Sequence, residues 1–262
     1  MTSDKIQFSP PIIAHRGAPL AAPENTLESF IAARDAGVSW IETDVKLTSD
    51  GVPVLLHDET LDRTTSGHGP IAQMTWDEVQ RLDAGGWFSP SFSGTRVTTL
   101  ARTLDFCAES RLRLILELKP SPGRTQATVM VALIEAAKMW PEAVPPPVIS
   151  SFDADALAIS AQLRPDWPRA LLLSEWSENW VETAVLTQAN AVAINDELLT
   201  PERLESLQKA PVPPLAYTVN DPARAQELLK KGIRAIYSDD AIGLLKAGLG
   251  AEPARFTPFK RG

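Results

Sequence analysis

LRLILELKP, residues 112–120, reads as a β-strand: Leu112, Leu114, Leu116 and Leu118 fall on one face, and Arg113, Ile115, Glu117 and Lys119 on the other. Seven further short apolar runs share its character: PIIAH (11–15), SWIETDV (39–45), VISSF (148–152), RALLL (169–173), AVAIN (191–195), PLAYTV (214–219) and RAIYS (234–238). Between them lie segments with helical spacing, such as ENTLESFIAARDAG, TQATVMVALIEAAK and DPARAQELLKKG, several opening on Asp, Ser, Thr or Pro as helix starts prefer. Strands alternating with helices predict an α/β fold with parallel strands, and eight such units suggest a closed barrel. One interval breaks the rhythm. Residues 46–111 cross VPVLLHDETL, a turn-rich TTSGHGP and MTWDEVQRLDAGGWFSP before the next long strand. This reads as a small insertion after the second barrel strand, about 59–98, capping one mouth of a single domain that spans 1–262.

The 262 residues are 44% hydrophobic and 22% charged, the balance of a folded globular chain, and carry no tandem repeat or low-complexity tract. A formal net charge of −8 argues against nucleic-acid binding, which depends on clustered Lys and Arg, so an anionic ligand has to be drawn in by local charge. Cys107 stands alone in an apolar helix, expected buried and inert, and burial rather than a disulfide must stabilise the fold, as in a reducing compartment. The opening MTSDKIQFSPP has no basic stretch followed by an apolar run, and no run of about 18 apolar residues occurs. These features predict a cytoplasmic protein with no stable membrane insertion.

In a parallel barrel the working side chains stand at the C-terminal ends of the strands and on the loops that follow. PIIAHRG delivers His15 and Arg16 together at such an end. SWIETDV supplies Glu42 and Asp44, two residues apart and so on one face, with Thr43 turned away. Two buried like charges repel and lose solvation; they require a cation, a shared proton, or pairing with Arg or Lys. Glu117 is a third oxygen donor, and Lys119 is a cation suited to an oxyanion unless the two simply pair. Three carboxylates suit a hard ion, Mg²⁺ or Ca²⁺, while the lack of a cysteine cluster disfavours zinc. VPVLLHDETLDRTT ends an apolar run on His57. Two imidazoles beside a phosphate can divide general-base and general-acid work near neutral pH. The third, His68, lies in a glycine-rich turn and is expected to be exposed.

HRG, PENT, ETDV, LLHD, LELK and YTVN stand in this order, with LDAGGWF in the interrupted stretch, and in this the chain resembles the glycerophosphodiester phosphodiesterase family over nearly its whole length. The resemblance implies a TIM (β/α)8 barrel that hydrolyses glycerophosphodiesters, such as glycerophosphocholine and glycerophosphoethanolamine, to sn-glycerol 3-phosphate and an alcohol. It implies one divalent cation held by Glu42, Asp44 and Glu117, an acid–base pair of His15 and His57, and phosphate binding by Arg16 and Lys119. His57 is expected to be the first base and His15 the acid, with attack by the glycerol 2-hydroxyl giving a cyclic phosphate. Glu24 and Asn25 precede a helix, where Asn25 is expected to cap it or to orient the ion's ligands. Trp87 and Phe88 in the insertion are candidates to cover the substrate. Tyr217 stands where the family often has Trp, which implies a smaller or hydrogen-bonding aromatic wall. Two alternatives use the same residues. One is a phospholipase D-like enzyme acting on lysophospholipids, and the other is a non-catalytic phosphate-ligand-binding barrel.

Overall fold

Nine strands form one sheet whose ends meet, in a computed structural model that describes residues 6–250. The outer limits of the expected 1–262 domain, and the first five residues of the opening segment read for a leader, lie outside the described residues. The strands are β1 (Ile12–Ala14), β2 (Trp40–Leu47), β3 (Pro53–Leu55), β4 (Arg113–Leu118), β5 (Val148–Ser151), β6 (Arg169–Leu173), β7 (Ala191–Asn195), β8 (Pro214–Tyr217) and β9 (Ile236–Ser238). Eight are parallel, in the circular order β1-β2-β4-β5-β6-β7-β8-β9, closed by pairing of Ile13 with Trp40 on one side and with Tyr237 on the other. This is a TIM barrel, the closed form expected from the eight units. β3, by contrast, is an antiparallel partner of β2 outside the circle, reached through a short turn at Ser49 and Asp50.

The helices are α1 (Leu27–Asp35), α2 (Trp76–Val79), α3 (Leu100–Ser110), α4 (Thr125–Met139), α5 (Ala154–Leu163), α6 (Trp180–Leu186), α7 (Pro201–Gln208), α8 (Pro222–Lys230) and α9 (Ala241–Leu244). Thr99, Asp153, Thr200 and Asp221 cap α3, α5, α7 and α8 through their side chains, satisfying amide groups that the first turn leaves free. None of the described helices is long and apolar enough to cross a membrane.

Strand alternation builds two apolar layers. Ile12, Ile41, Leu114, Leu116 and Leu118 point outward against the helices, where Cys107 is also buried, while Ile13, Trp40 and Ile115 point into the barrel. Along the inward face the character changes with height: β2 runs Trp40, Glu42, Asp44, and β4 runs Ile115, Glu117. The apolar lower half closes with Phe8 packed 4.8 Å from Trp40, ring centroid to centroid, and the Arg113 guanidinium over the same indole. The charged upper half opens at the C-terminal rim. Residues 59–98 follow β3 and contribute to a separate small cluster of Val54, Leu56, Leu61, Ile71, Val79, Ala84 and Val97. Asp83 organises their tip by accepting from the amides of Gly85, Gly86 and Gly94.

Candidate active site

The strand ends carry His15 and Arg16 (after β1), Glu42 and Asp44 (β2), His57 (after β3), Glu117 and Lys119 (β4), Phe152 (after β5), Tyr217 (β8) and Tyr237 (β9) to one rim. His15, Arg16, Glu42, His57, Glu117, Lys119 and Tyr217 line a single open cleft, the concave setting small-molecule sites prefer. Asp44 lies just beneath it, fully buried.

One carboxylate oxygen from each of Glu42, Asp44 and Glu117 falls within 4.8 Å of the others. Sequence left open whether a cation or Arg and Lys side chains balance these charges; the structure brings in Arg16 and Lys119. Arg16 Nε is 3.5 Å from Asp44 Oδ2, and Lys119 Nζ is 3.2 Å from Glu117 Oε1 and 3.5 Å from Asp44 Oδ1. Even so, Glu42 Oε1, Asp44 Oδ1 and Glu117 Oε1 are buried without a hydrogen-bond partner, an expensive state for a native protein unless a ligand completes it. Burial, then repulsion from Asp44 and Glu117, pushes the Glu42 carboxyl well above the usual range. Burial and Asp44 push Glu117 up to about 7. Burial acts the same way on Asp44, but Lys119 and Arg16 outweigh it and hold that carboxyl below its ordinary value. Crowded oxygen donors with spare lone pairs fit a hard divalent cation.

Both histidines of the cleft are held at Nδ1 by a carboxylate. His15 Nδ1 lies 2.7 Å from Asp239 Oδ1, and His57 Nδ1 lies 2.7 Å from Asp58 Oδ1. A proton on Nδ1 satisfies each contact, which leaves each Nε2 as the other ring nitrogen for chemistry. His15 Nε2 is 4.0 Å from Glu42 Oε2. Burial, with the cations of Arg16 and Lys119, lowers the His57 pKa against the opposing pull of Asp44. His68 pairs with Asp62 on the surface and is not among the residues lining the cleft.

Asn25 does not cap α1; that place belongs to Thr26, whose hydroxyl accepts from the Ser29 amide. Asn25 instead takes a left-handed backbone (φ 56°), which asparagine tolerates better than most residues. From there its Nδ2 donates to Asp44 Oδ2 at 2.8 Å, while its Oδ1 accepts from the Thr43 hydroxyl at 2.6 Å. Glu24 lies beside the cleft, accepting from Arg16 Nη1 at 2.9 Å. Tyr217 donates its hydroxyl to the Leu173 carbonyl at 2.7 Å and meets Phe152 edge to face at 5.8 Å. Trp87 is not among the cleft-lining residues: its indole N–H is spent on the Ala84 carbonyl, its ring packs on Phe88, and 41% of the residue is exposed.

Several participants escaped the sequence reading. Asp239 follows directly on RAIYS, where a strand-end acid is a usable signal. Arg63 sits in the same HDETLDRTT run as His57 and bridges Asp58 to Glu24. Lys46, fully buried, pairs with Glu59 and donates to the Lys119 carbonyl. Phe152 forms a cleft wall from a run read only as a strand.

Residues 15–242 match the sequence model of the glycerophosphoryl diester phosphodiesterase family. A glycerophosphodiester phosphodiesterase of Caldanaerobacter subterraneus is 32% identical over 247 residues, covering 90% of this chain and 98% of the relative. Among solved structures, an Oleispira antarctica phosphodiesterase in complex with the product sn-glycerol-3-phosphate superposes with a TM-score of 0.88 at 32% identity, covering 92% of this chain and 97% of that one. The Agrobacterium tumefaciens glycerophosphodiester phosphodiesterase gives 0.74 at 30% identity, covering 90% and 98%.

Proposed function

The chain belongs to the glycerophosphoryl diester phosphodiesterase family, and from that premise we propose that it hydrolyses glycerophosphodiesters such as glycerophosphocholine and glycerophosphoethanolamine, with one divalent cation and His15 and His57 as acid–base pair. The observation that carries this reading is the meeting, at one rim, of three crowded buried carboxylates, each with an oxygen that accepts no hydrogen bond, and two histidines each tied at Nδ1 to an acid. The product held by the Oleispira antarctica relative is the phosphomonoester that such a reaction leaves.

Glu42, Asp44 and Glu117 would hold the ion, Mg²⁺ or Ca²⁺, and Asn25 orients Asp44 from behind. When bound, the ion supplies positive charge that offsets the charge growing on the phosphoryl oxygens. Arg16 and Lys119 add two further cations to the lining of the cleft. His57, its pKa lowered by burial and these cations, is neutral near pH 7 and accepts the proton of the glycerol 2-hydroxyl through Nε2. The freed oxygen attacks phosphorus, and the bond to the alcohol breaks. His15, backed by Asp239, gives its proton to the departing alcohol oxygen. Water then opens the cyclic phosphate with the two roles exchanged, leaving sn-glycerol 3-phosphate. Residues 59–98 form the cap beside this rim, and the lone buried Cys107 suits a reducing cytoplasm.

The test is turnover of glycerophosphocholine, glycerophosphoethanolamine and lysophosphatidylcholine by chelator-treated protein, with Mg²⁺ or Ca²⁺ restored separately. Ion-dependent release of sn-glycerol 3-phosphate from the first two supports the reading. Preference for the acylated compound would favour the phospholipase D-like alternative, and binding without turnover would favour a non-catalytic barrel.

A further inference from the structure

We propose that Arg63 is a positioning residue that sets the separation of His57 and Arg16 across the cleft, gripping Asp58 with one edge of its guanidinium and Glu24 with another. The inference deepens the proposed function and rests on its assignment of His57 and Arg16. Arg63 Nε and Nη2 donate to the two oxygens of Asp58 at 2.7 and 3.0 Å, and Nη1 and Nη2 donate to the two oxygens of Glu24 at 2.7 and 2.9 Å. Asp58 Oδ1 in turn holds His57 Nδ1 at 2.7 Å, and Glu24 Oε1 accepts from Arg16 Nη1 at 2.9 Å. A continuous line of charge-assisted hydrogen bonds therefore runs from one cleft-lining side chain to the other, and Arg63 is its middle member.

An isolated surface ion pair of this kind contributes little, because water competes for both partners. Arg63, 43% exposed in its side chain, differs in making two bidentate contacts at once, and Glu24 is only 10% exposed. Planar fork geometry holds each carboxylate in orientation as well as in place. It also spans two loops that no strand pairing joins at this point: the segment after β1 that bears Arg16 and Glu24, and the segment after β3 that bears His57 and Asp58. A carboxylate turned by Arg63 toward Nδ1 keeps the proton there and leaves Nε2 as the base. Lysine, a single point charge, cannot make both forks.

The experiment compares wild-type protein with Arg63→Met and Arg63→Lys. Kinetics with glycerophosphocholine are read alongside ¹⁵N NMR of the His57 ring, assigned by difference from His57→Gln. The expected result is a fall in kcat of tenfold or more in both variants, with a smaller change in KM. The His57 spectrum should move from an Nδ1-protonated ring to a mixture of tautomers. Full retention of kcat and of the His57 tautomer in Arg63→Met would overturn the proposal, and wild-type behaviour of Arg63→Lys would overturn the fork. Should Arg63→Met not fold, Glu24→Gln and Asp58→Asn singly and together answer the same question: non-additive losses in kcat support the linkage, and additive ones refute it. The tautomer is read without substrate. A wild-type protein inactive on glycerophosphodiesters would therefore fail the functional reading while leaving Arg63 testable on its own.

Discussion

At the scale of single residues, the site divides into groups that chemistry made readable and groups that only folding assembles. His15 and His57 each end an apolar run, and Glu42, Asp44 and Glu117 are acids on the inward faces of otherwise largely apolar strands, which makes all five readable as site candidates. Replacing His15 or His57 by Ala is expected to lower turnover by a factor of about 10² to 10⁴, the usual worth of a general acid or base. Circular dichroism should show the fold intact; near-normal rates in either variant would remove that histidine from its role. Asp239 carries the same strand-end signal, but its partner was not legible, because its contact with His15 joins residues 224 apart in sequence. Asp239→Ala should depress kcat more than it raises KM, since the side chain touches the imidazole rather than the cleft. An unchanged kcat would make the contact incidental. The Glu24–Arg63 pair escaped notice for the same reason, being a partnership across 39 residues.

Elements tell a complementary story. All eight barrel strands were legible, because a run such as LRLILEL is apolar along one whole face and carries its acid only near its end. The boundary of α1 was less so: Asn25 and Thr26 are both good capping residues, and the one that caps is decided by Asn25 being drawn back to Thr43 and Asp44. Thr26→Ala should therefore cost about 1 kcal/mol of stability, measured by denaturant unfolding, while leaving ion binding largely intact. Asn25→Ala should do the reverse, weakening ion affinity through Asp44. Equal effects of the two on ion binding would contradict this division. The insertion was recognised by its broken rhythm, yet its aromatic residues pack on one another, Trp87 on Phe88 and Phe88 on Phe92. Nothing in a sequence of exposed turns says which ring faces inward.

For the molecule as a whole, the crowded acids tie stability to pH and to any cation they hold. Glu117 ionises with an ordinary value of 4.5 when unfolded and near 7 when folded, and Glu42 is likewise raised well above its ordinary value. Between those values these two carboxyls bind more protons in the folded chain than in the unfolded one, so without an ion their contribution to stability falls as pH rises through about 7, against the opposite contribution of the lowered His57. A bound divalent cation reverses the trend by favouring the ionised carboxylates. Thermal unfolding in chelator should show Tm dropping from pH 5 to 8, and added Mg²⁺ or Ca²⁺ should restore it most strongly at the alkaline end. A Tm in chelator that is flat across this range would refute the buried, crowded state of the three acids.

The packing of Phe8 against Trp40 beneath the charged rim has a consequence for traffic. With the barrel filled from below, diester, water, alcohol and phosphomonoester share one doorway, and each departure must precede the next arrival. Accumulated sn-glycerol 3-phosphate should therefore compete directly with fresh diester, raising the apparent KM while leaving the limiting rate unchanged.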